Sequence, residues 1–227
     1  MSQAPNLYFN SSTEKPYLII TAVEAEKEAL QRGLGGDNRF VLAAAGVGTA
    51  AAAAGTAAAL AAGDYRLVIS AGIGGGFVGR APVGSLVVAD ALIAADLGAE
   101  TPDGFISVDE LGFGSSRIAA EPELSTRLAE ALHNAGHPVT TGAVLTVSTV
   151  TGTAETAERL VRRIPGAAAE AMEGYGVAVA AAGRGLPVLE IRAISNPVGP
   201  RDRSAWNIKD AMKTLESAGA LLTEVLP

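Results

Sequence analysis

Phe40-Val41-Leu42-Ala43-Ala44-Ala45-Gly46-Val47-Gly48-Thr49-Ala50-Ala51 runs from an apolar stretch of strand length, through two glycines one residue apart, into an Ala-rich stretch suited to a helix. Strand, glycine turn and helix in that order make half of a βαβ unit. The next apolar run, 67–71, supplies the second strand and ends in Gly72-Ile73-Gly74-Gly75-Gly76. The same alternation continues in both directions. It predicts strands at 17–23, 40–45, 67–71, 85–95, 139–148 and 187–195, and helices at 24–31, 49–62, 121–135, 154–163, 175–182 and 210–225. This is the pattern of a single-domain, three-layer α/β sandwich around a central mixed, mainly parallel sheet. Residues 1–15 read as a tail and 16–227 as the domain. The polar, glycine-containing stretch 97–116 reads as a surface excursion or lid.

Composition narrows the function. Of the 227 residues, 48% are hydrophobic, enough for a sizeable core. A formal charge of −7 leaves no basic surplus to track a phosphate backbone, so no nucleic-acid partner is expected. The absence of cysteine removes disulfides, thiolate metal sites and a cysteine nucleophile, and fits a cytoplasmic location. Residues 43–62 carry no charge and have the length of a membrane span. They are mostly alanine, however, and Gly46 and Gly48 divide them, so no membrane association is expected. His133 and His137 have no third ligand in view, and no metal site is expected.

In a doubly wound sheet, ligands bind beyond the carboxyl ends of the strands, so the residues following each strand are the ones that bear on function. Gly46-Val47-Gly48-Thr49-Ala50-Ala51 fits the G-x-G-x-x-A pattern of a dinucleotide site, but the strand ending at Ala71 carries no ribose-binding acid. Small residues for close strand–helix packing explain it as well. Glu24, Glu26 and Glu28 open the first helix, where acids complement the helix dipole; their place after the first strand makes them functional candidates too. Glu170 and Glu173 lie among alanines and glycines, where a buried acid is costly without a partner or ligand. Arg192 sits in an otherwise apolar strand and calls for a carboxylate partner.

Taken together, Thr21-Ala22-Val23-Glu24-Ala25-Glu26, Gly46-Val47-Gly48, Gly72-Ile73-Gly74-Gly75, Glu170-Ala171-Met172-Glu173-Gly174 and Arg192-Ala193-Ile194-Ser195-Asn196 resemble the purine nucleoside phosphorylase and nucleosidase superfamily, in family order. Within it the chain is similar to the branch of methylthioadenosine/adenosylhomocysteine nucleosidases and futalosine hydrolases. Ser195-Asn196-Pro197-Val198-Gly199-Pro200-Arg201-Asp202-Arg203, with Trp206, resembles the latter most. The resemblance implies a cofactor-free N-ribosyl hydrolase that acts on a small nucleoside, assembled as a homodimer or larger homo-oligomer. It assigns Glu26 to the attacking water, Glu173 to the ribose hydroxyls, Met172 to the sugar's underside and Asn196 to N7 and O6 of the purine. Arg192 braces the water and Glu173. Val47, Gly74 and Gly75 line the site, and Val150 and Thr151 stack on the base, although the family often has an aromatic where this chain has Val150. Trp206 walls the 5′ substituent.

Two residue-level distinctions follow. Phosphorolysis needs arginines near the glycine loops; those around Gly46 and Gly72 have none, which favours water. Adenine-cleaving members carry Asp where this chain has Asn196. An amide both donates and accepts, which suits a 6-oxopurine such as hypoxanthine. For Arg201 and Arg203 two readings stand: contact with a substrate carboxylate, or surface ion pairs. The rivals to a futalosine-type nucleosidase are another purine nucleosidase, an NAD-binding module and a nucleoside sensor without turnover.

Overall fold

The computed structural model describes residues 15–227, so the tail expected at 1–15 lies, but for Lys15, outside the described residues. The elements in chain order are β1 (Tyr17–Thr21), α1 (Glu24–Leu34), β2 (Phe40–Ala44), α2 (Thr49–Ala62), β3 (Leu67–Gly76), β4 (Leu86–Ala94), β5 (Gly98–Thr101), β6 (Gly104–Ser107) and β7 (Arg117–Ala119). They continue with α3 (Pro122–Asn134), β8 (Val139–Thr146), α4 (Ala154–Arg163), β9 (Ala167–Ala171), α5 (Gly174–Ala182), β10 (Val188–Pro197), a 3-10 turn (Arg203–Ala205) and α6 (Ile208–Val225).

The sheet runs β2-β1-β3-β10-β4-β8-β9. The pairs β1–β2, β1–β3, β3–β10, β4–β8 and β8–β9 are parallel. The pairs β4–β10, β3–β9 and β4–β7 are antiparallel. The sheet is therefore mixed and mainly parallel, as expected. Because β9 also pairs with the end of β3, Gly75 facing Glu170 and Gly76 facing Ala169, the five strands β3, β10, β4, β8 and β9 close into a ring.

Alternation along the strands sorts the core. Ile19, Ile69, Leu189 and Ile191 face α1, α3 and α6, whose Leu30, Leu128, Leu215 and Leu222 are fully buried. Leu18, Ile20 and Val68 face α2 and α5, with Ala52, Leu60, Val177 and Ala178. Burying each large aliphatic side chain contributes roughly 1.5–3 kcal/mol before conformational entropy is charged against it. Residues 43–62 resolve into the end of β2, a glycine turn and α2, and among the described residues no helix is long and apolar enough to cross a membrane.

Two features depart from the sequence expectation, and a third refines it. Gly72–Gly76 is not a loop but the second half of β3, hydrogen-bonded to β10 and β9. Ala167–Ala171 forms a buried strand that its alanines give no propensity for; pairing with β8 and β3 imposes it. The excursion 97–116 contains the β5–β6 hairpin. It is tied down where Ser115 and Ser116 donate to Asp109 and where the Tyr175 hydroxyl donates to the Ser115 carbonyl.

Candidate active site

The glycine half of β3 is the hub. Glu26 stands in the first turn of α1, which starts directly after β1. One of its oxygens, Oε2, accepts from the amides of Ala22 and Val23 at 3.0 and 3.3 Å, the helix-start role expected of a first-turn acid. The other, Oε1, reaches across to accept from the Ile73 amide on β3 at 2.9 Å. Three amides thus fix a carboxylate that is only 3% exposed. A Cβ at position 72 would stand 2.6 Å from Glu26 Oε1 and 2.8 Å from Arg192 Nη1, so glycine there is what lets acid and guanidinium crowd the strand.

Glu173 enters from the other side of the sheet, between β9 and α5. Its Oε1 accepts from the Gly48 amide at 3.2 Å, and its Oε2 from the Met172 amide at 3.2 Å. Gly46 and Gly48 have φ of 98° and 93°, values that disfavour other residues. The turn they form aims the start of α2 at Glu173. The protein's own carboxylate therefore occupies the helix start that a dinucleotide pyrophosphate would need.

Arg192, on β10 opposite Gly72, links the two sides. It is 1% exposed. Nε donates to Glu190 at 2.8 Å, Nη2 to Ser70 Oγ at 3.0 Å, and Nη1 to Glu173 at 3.4 Å and the Ile73 carbonyl at 3.5 Å. Burial by itself would lower its pKa, but the charges of Glu190, Glu173 and Glu26 outweigh burial and raise it. Arg192 thus pairs with Glu190 through Nε and contacts Glu173 through a different nitrogen, Nη1.

Asn196 lies opposite Gly75, two residues beyond Ile73, just after a bulge in β10 at Ser195. Its Oδ1 accepts from Ser195 Oγ at 2.8 Å, and its Nδ2 donates to the Pro197 carbonyl at 3.0 Å, so the amide has a defined orientation. The Asn207 amide donates to the Ser195 carbonyl at 2.7 Å, which brings the Trp206 segment back to the end of β10. Arg201 lies over the Trp206 ring, 5.3 Å from its centroid. Arg201 and Arg203 are exposed, and among the described residues neither has a carboxylate within ion-pair distance.

Several supporting contacts were not legible in the sequence, although Glu170 itself stands out there as a buried acid. Glu170, buried on β9, accepts from the Thr151 amide at 2.9 Å and from its hydroxyl. The Ser148 amide donates to Asp96 at 2.6 Å, so the loop 148–151 is pinned at both ends, leaving Val150 exposed between them. Burial pushes the Glu170 carboxyl above its ordinary range, against the bonds from Thr151. The signal for Glu170 was its charge inside an alanine run; its partner could not be read from spacing. Glu190 and Ser70 were likewise unassigned. Val47 is 57% exposed beside Gly48, Gly74 and Gly75 lie between β10 and β9, and Met172 is half-buried next to Glu173. A cleft of about 560 Å³ against β6, lined by Asp90, Phe105, Arg117 and Arg163, contains none of these residues.

The Phosphorylase superfamily model matches residues 13–226. Futalosine hydrolase of Streptomyces coelicolor is 53% identical, with 92% of this chain and 95% of that one covered. The counterpart from Acidothermus cellulolyticus is 51% identical over 90% and 89%, and that from Thermus thermophilus 34% over 82% of each. In fold the chain is similar to native futalosine hydrolase of Helicobacter pylori, at TM-score 0.78, 18% identity and 95% and 98% coverage. It is also similar to the methylthioadenosine/adenosylhomocysteine nucleosidase of Neisseria meningitidis in complex with methylthio-immucillin-A, at TM-score 0.76, 21% identity and 93% and 98% coverage. With curated relatives above half identity along nearly its whole length, the chain belongs to the phosphorylase superfamily and, within it, to the futalosine hydrolases.

Proposed function

We propose that the enzyme hydrolyses the N-glycosidic bond of futalosine, releasing hypoxanthine and dehypoxanthinyl futalosine, a step of menaquinone biosynthesis. The observation that carries this reading is the meeting of two buried carboxylates, Glu26 and Glu173, on Ile73 and Arg192, with the oriented Asn196 amide at the end of the same strand pair.

As the C1′–N9 bond breaks, positive charge develops on the ribose and negative charge on the base. Carboxylates by the sugar and an N–H by the base therefore lower the barrier. Glu26, held by three amides, accepts a proton from a water whose oxygen bonds to C1′; a base so placed contributes typically ~10²–10⁴-fold. Glu173 accepts from the ribose hydroxyls and offsets the oxocarbenium charge, while Met172 packs under the sugar. The electron pair of the broken bond goes to the purine. With one Nδ2 hydrogen committed to Pro197, Asn196 offers the other to N7 and O6, both acceptors in hypoxanthine. Gly74 and Gly75 let the base approach the strand, Val47, Val150 and Thr151 line its faces, and Trp206 walls the 5′ extension. Arg201, already on the indole and free of ion-pair partners among the described residues, is the better placed of the two arginines for the substrate carboxylate; Arg203 is the second candidate.

Water rather than phosphate is the nucleophile. The buried cation beside the glycine strand, Arg192, already serves Glu190 and Glu173, and Glu26 would repel an anion. Exposed apolar side chains, Val47 and Val150 at the site and Phe113, 83% exposed, on the excursion, support assembly into a homodimer or larger homo-oligomer, which light scattering on the purified protein tests. Work in the cytoplasm belongs to the same reading. The decisive assay incubates the protein with futalosine, inosine and methylthioadenosine, with and without phosphate, and quantifies free base. Hypoxanthine from futalosine, independent of phosphate, is expected. Cleavage of methylthioadenosine with futalosine intact refutes the assignment.

A further inference from the structure

Glu190 is the most deeply buried acid of the site, and the reaction just described gives it nothing to do. It is fully buried on β10, two residues before Arg192 and therefore on the same side of the strand. Its Oε1 takes the Arg192 Nε bond at 2.8 Å, the shortest contact that guanidinium makes; its Oε2 has no hydrogen-bond partner. A Cβ at Gly174, the first residue of α5, would lie 2.3 and 2.4 Å from its two oxygens, so the helix backbone closes over the carboxylate. The groups facing it are Arg192 on its own strand, Ser70 from β3, and Glu173 ahead of α5; Glu26 from α1 faces Arg192 from the far side.

An arginine placed between three acids and bound tightly by Glu173 would draw off the negative charge that Glu173 owes the ribose. Here the tight bond goes to Glu190, while Glu173 sits at 3.4 Å and keeps its capacity for substrate. We propose that Glu190 is a positioning residue: it anchors the Arg192 guanidinium by Nε and takes up its charge, leaving Glu173 and Glu26 free to face the sugar. This rests on the nucleosidase reading above. Burial drives the Glu190 carboxyl above its ordinary range, and the Arg192 guanidinium 2.8 Å away opposes that rise.

The test is the pH dependence of kcat and KM for futalosine in E190Q and E190D. The amide can still accept from Nε, and Arg192 retains two counter-charges, so E190Q is expected to fold. With one negative charge removed, the group whose protonation ends activity on the acid side faces a more positive site, and the acid limb moves down by about one pH unit. kcat falls at least ~10-fold with KM nearly unchanged. E190D, which keeps the charge but shortens the reach, retains the wild-type acid limb with a lowered kcat. A wild-type limb and kcat in E190Q, with only a lower Tm, overturn the proposal and leave a purely structural pair. If E190Q does not fold, E190D decides alone, and wild-type kcat in it overturns the proposal equally. Failure of the wild type on futalosine is a separate result that refutes the substrate; the ratios are then measured on whichever nucleoside it cleaves, and cleavage of none overturns both readings.

Discussion

Replacing Gly72 with alanine probes the site without touching a reacting group. The backbone there is in a strand and tolerates alanine, so any effect comes from the added methyl. That Cβ would lie 2.6 Å from Glu26 Oε1, 3.0 Å from its Cδ and 2.8 Å from Arg192 Nη1, whereas ordinary contact starts at 3.4 Å. Carboxylate or guanidinium must therefore retreat by roughly 0.8 Å, and a misplacement near 1 Å at a reacting centre costs on the order of 10²-fold. The Ile73 amide would lose its hold on Oε1 in the process. Overpacking of this kind also destabilises by about 1–3 kcal/mol, a fall in Tm of roughly 2–4 °C per kcal/mol for a chain of this size. Expected for G72A is a ~10²-fold loss of kcat with most of the protein folded at assay temperature. G219A is the control. Its Cβ meets Leu30 O at 3.1 Å between α1 and α6 and touches neither Glu26 nor Arg192, so it should keep kcat. The assay is single-nucleoside turnover followed by chromatography of hypoxanthine, beside thermal unfolding by circular dichroism. Full wild-type kcat in G72A would refute the claim that Glu26 and Arg192 work from the positions seen here.

E26Q and E173Q should each lower kcat by at least ~10²-fold with native circular dichroism, since both keep the shape and lose the charge; turnover above a tenth of wild type in either contradicts its role. In N196D, a carboxylate oxygen would face the Pro197 carbonyl that Nδ2 now satisfies. kcat/KM for 6-oxopurine nucleosides should drop about 10–100-fold relative to 6-aminopurine nucleosides, and an unchanged ratio counts against base recognition by this residue. Asp109 is held down to a pKa of about 2 by the Ser116 hydroxyl and amide and the Ser115 hydroxyl. A depressed carboxyl stabilises above its ordinary value of 3.8 and ceases to as pH falls towards 2, so the hydrogen-exchange protection of 107–117, taken relative to the intrinsic rate at each pH, should fall over that window and, in D109N, already at neutral pH. Equal protection in D109N and wild type at neutral pH would show that Asp109 does not tether the excursion.

Local pattern was sufficient for the alternation of strands and helices and for the glycine turn at Gly46 and Gly48, because hydrophobic period and turn chemistry are properties of neighbouring residues, whereas the choice of Glu26, Glu173, Arg192 and Asn196 followed from the family resemblance. Closure of the sheet was not legible. The β3–β9 contact joins residues far apart in sequence, and it turned a glycine run into strand and an alanine run into its partner. Which acid holds which nitrogen was not legible either. Glu26 meets Ile73, Glu170 meets Thr151, and Glu190 rather than Glu173 takes the short bond to Arg192. A charge in an apolar segment announces that it needs a partner, but the partner's identity depends on strand register and on which side chains β3 leaves absent, and those are settled only when the layers pack.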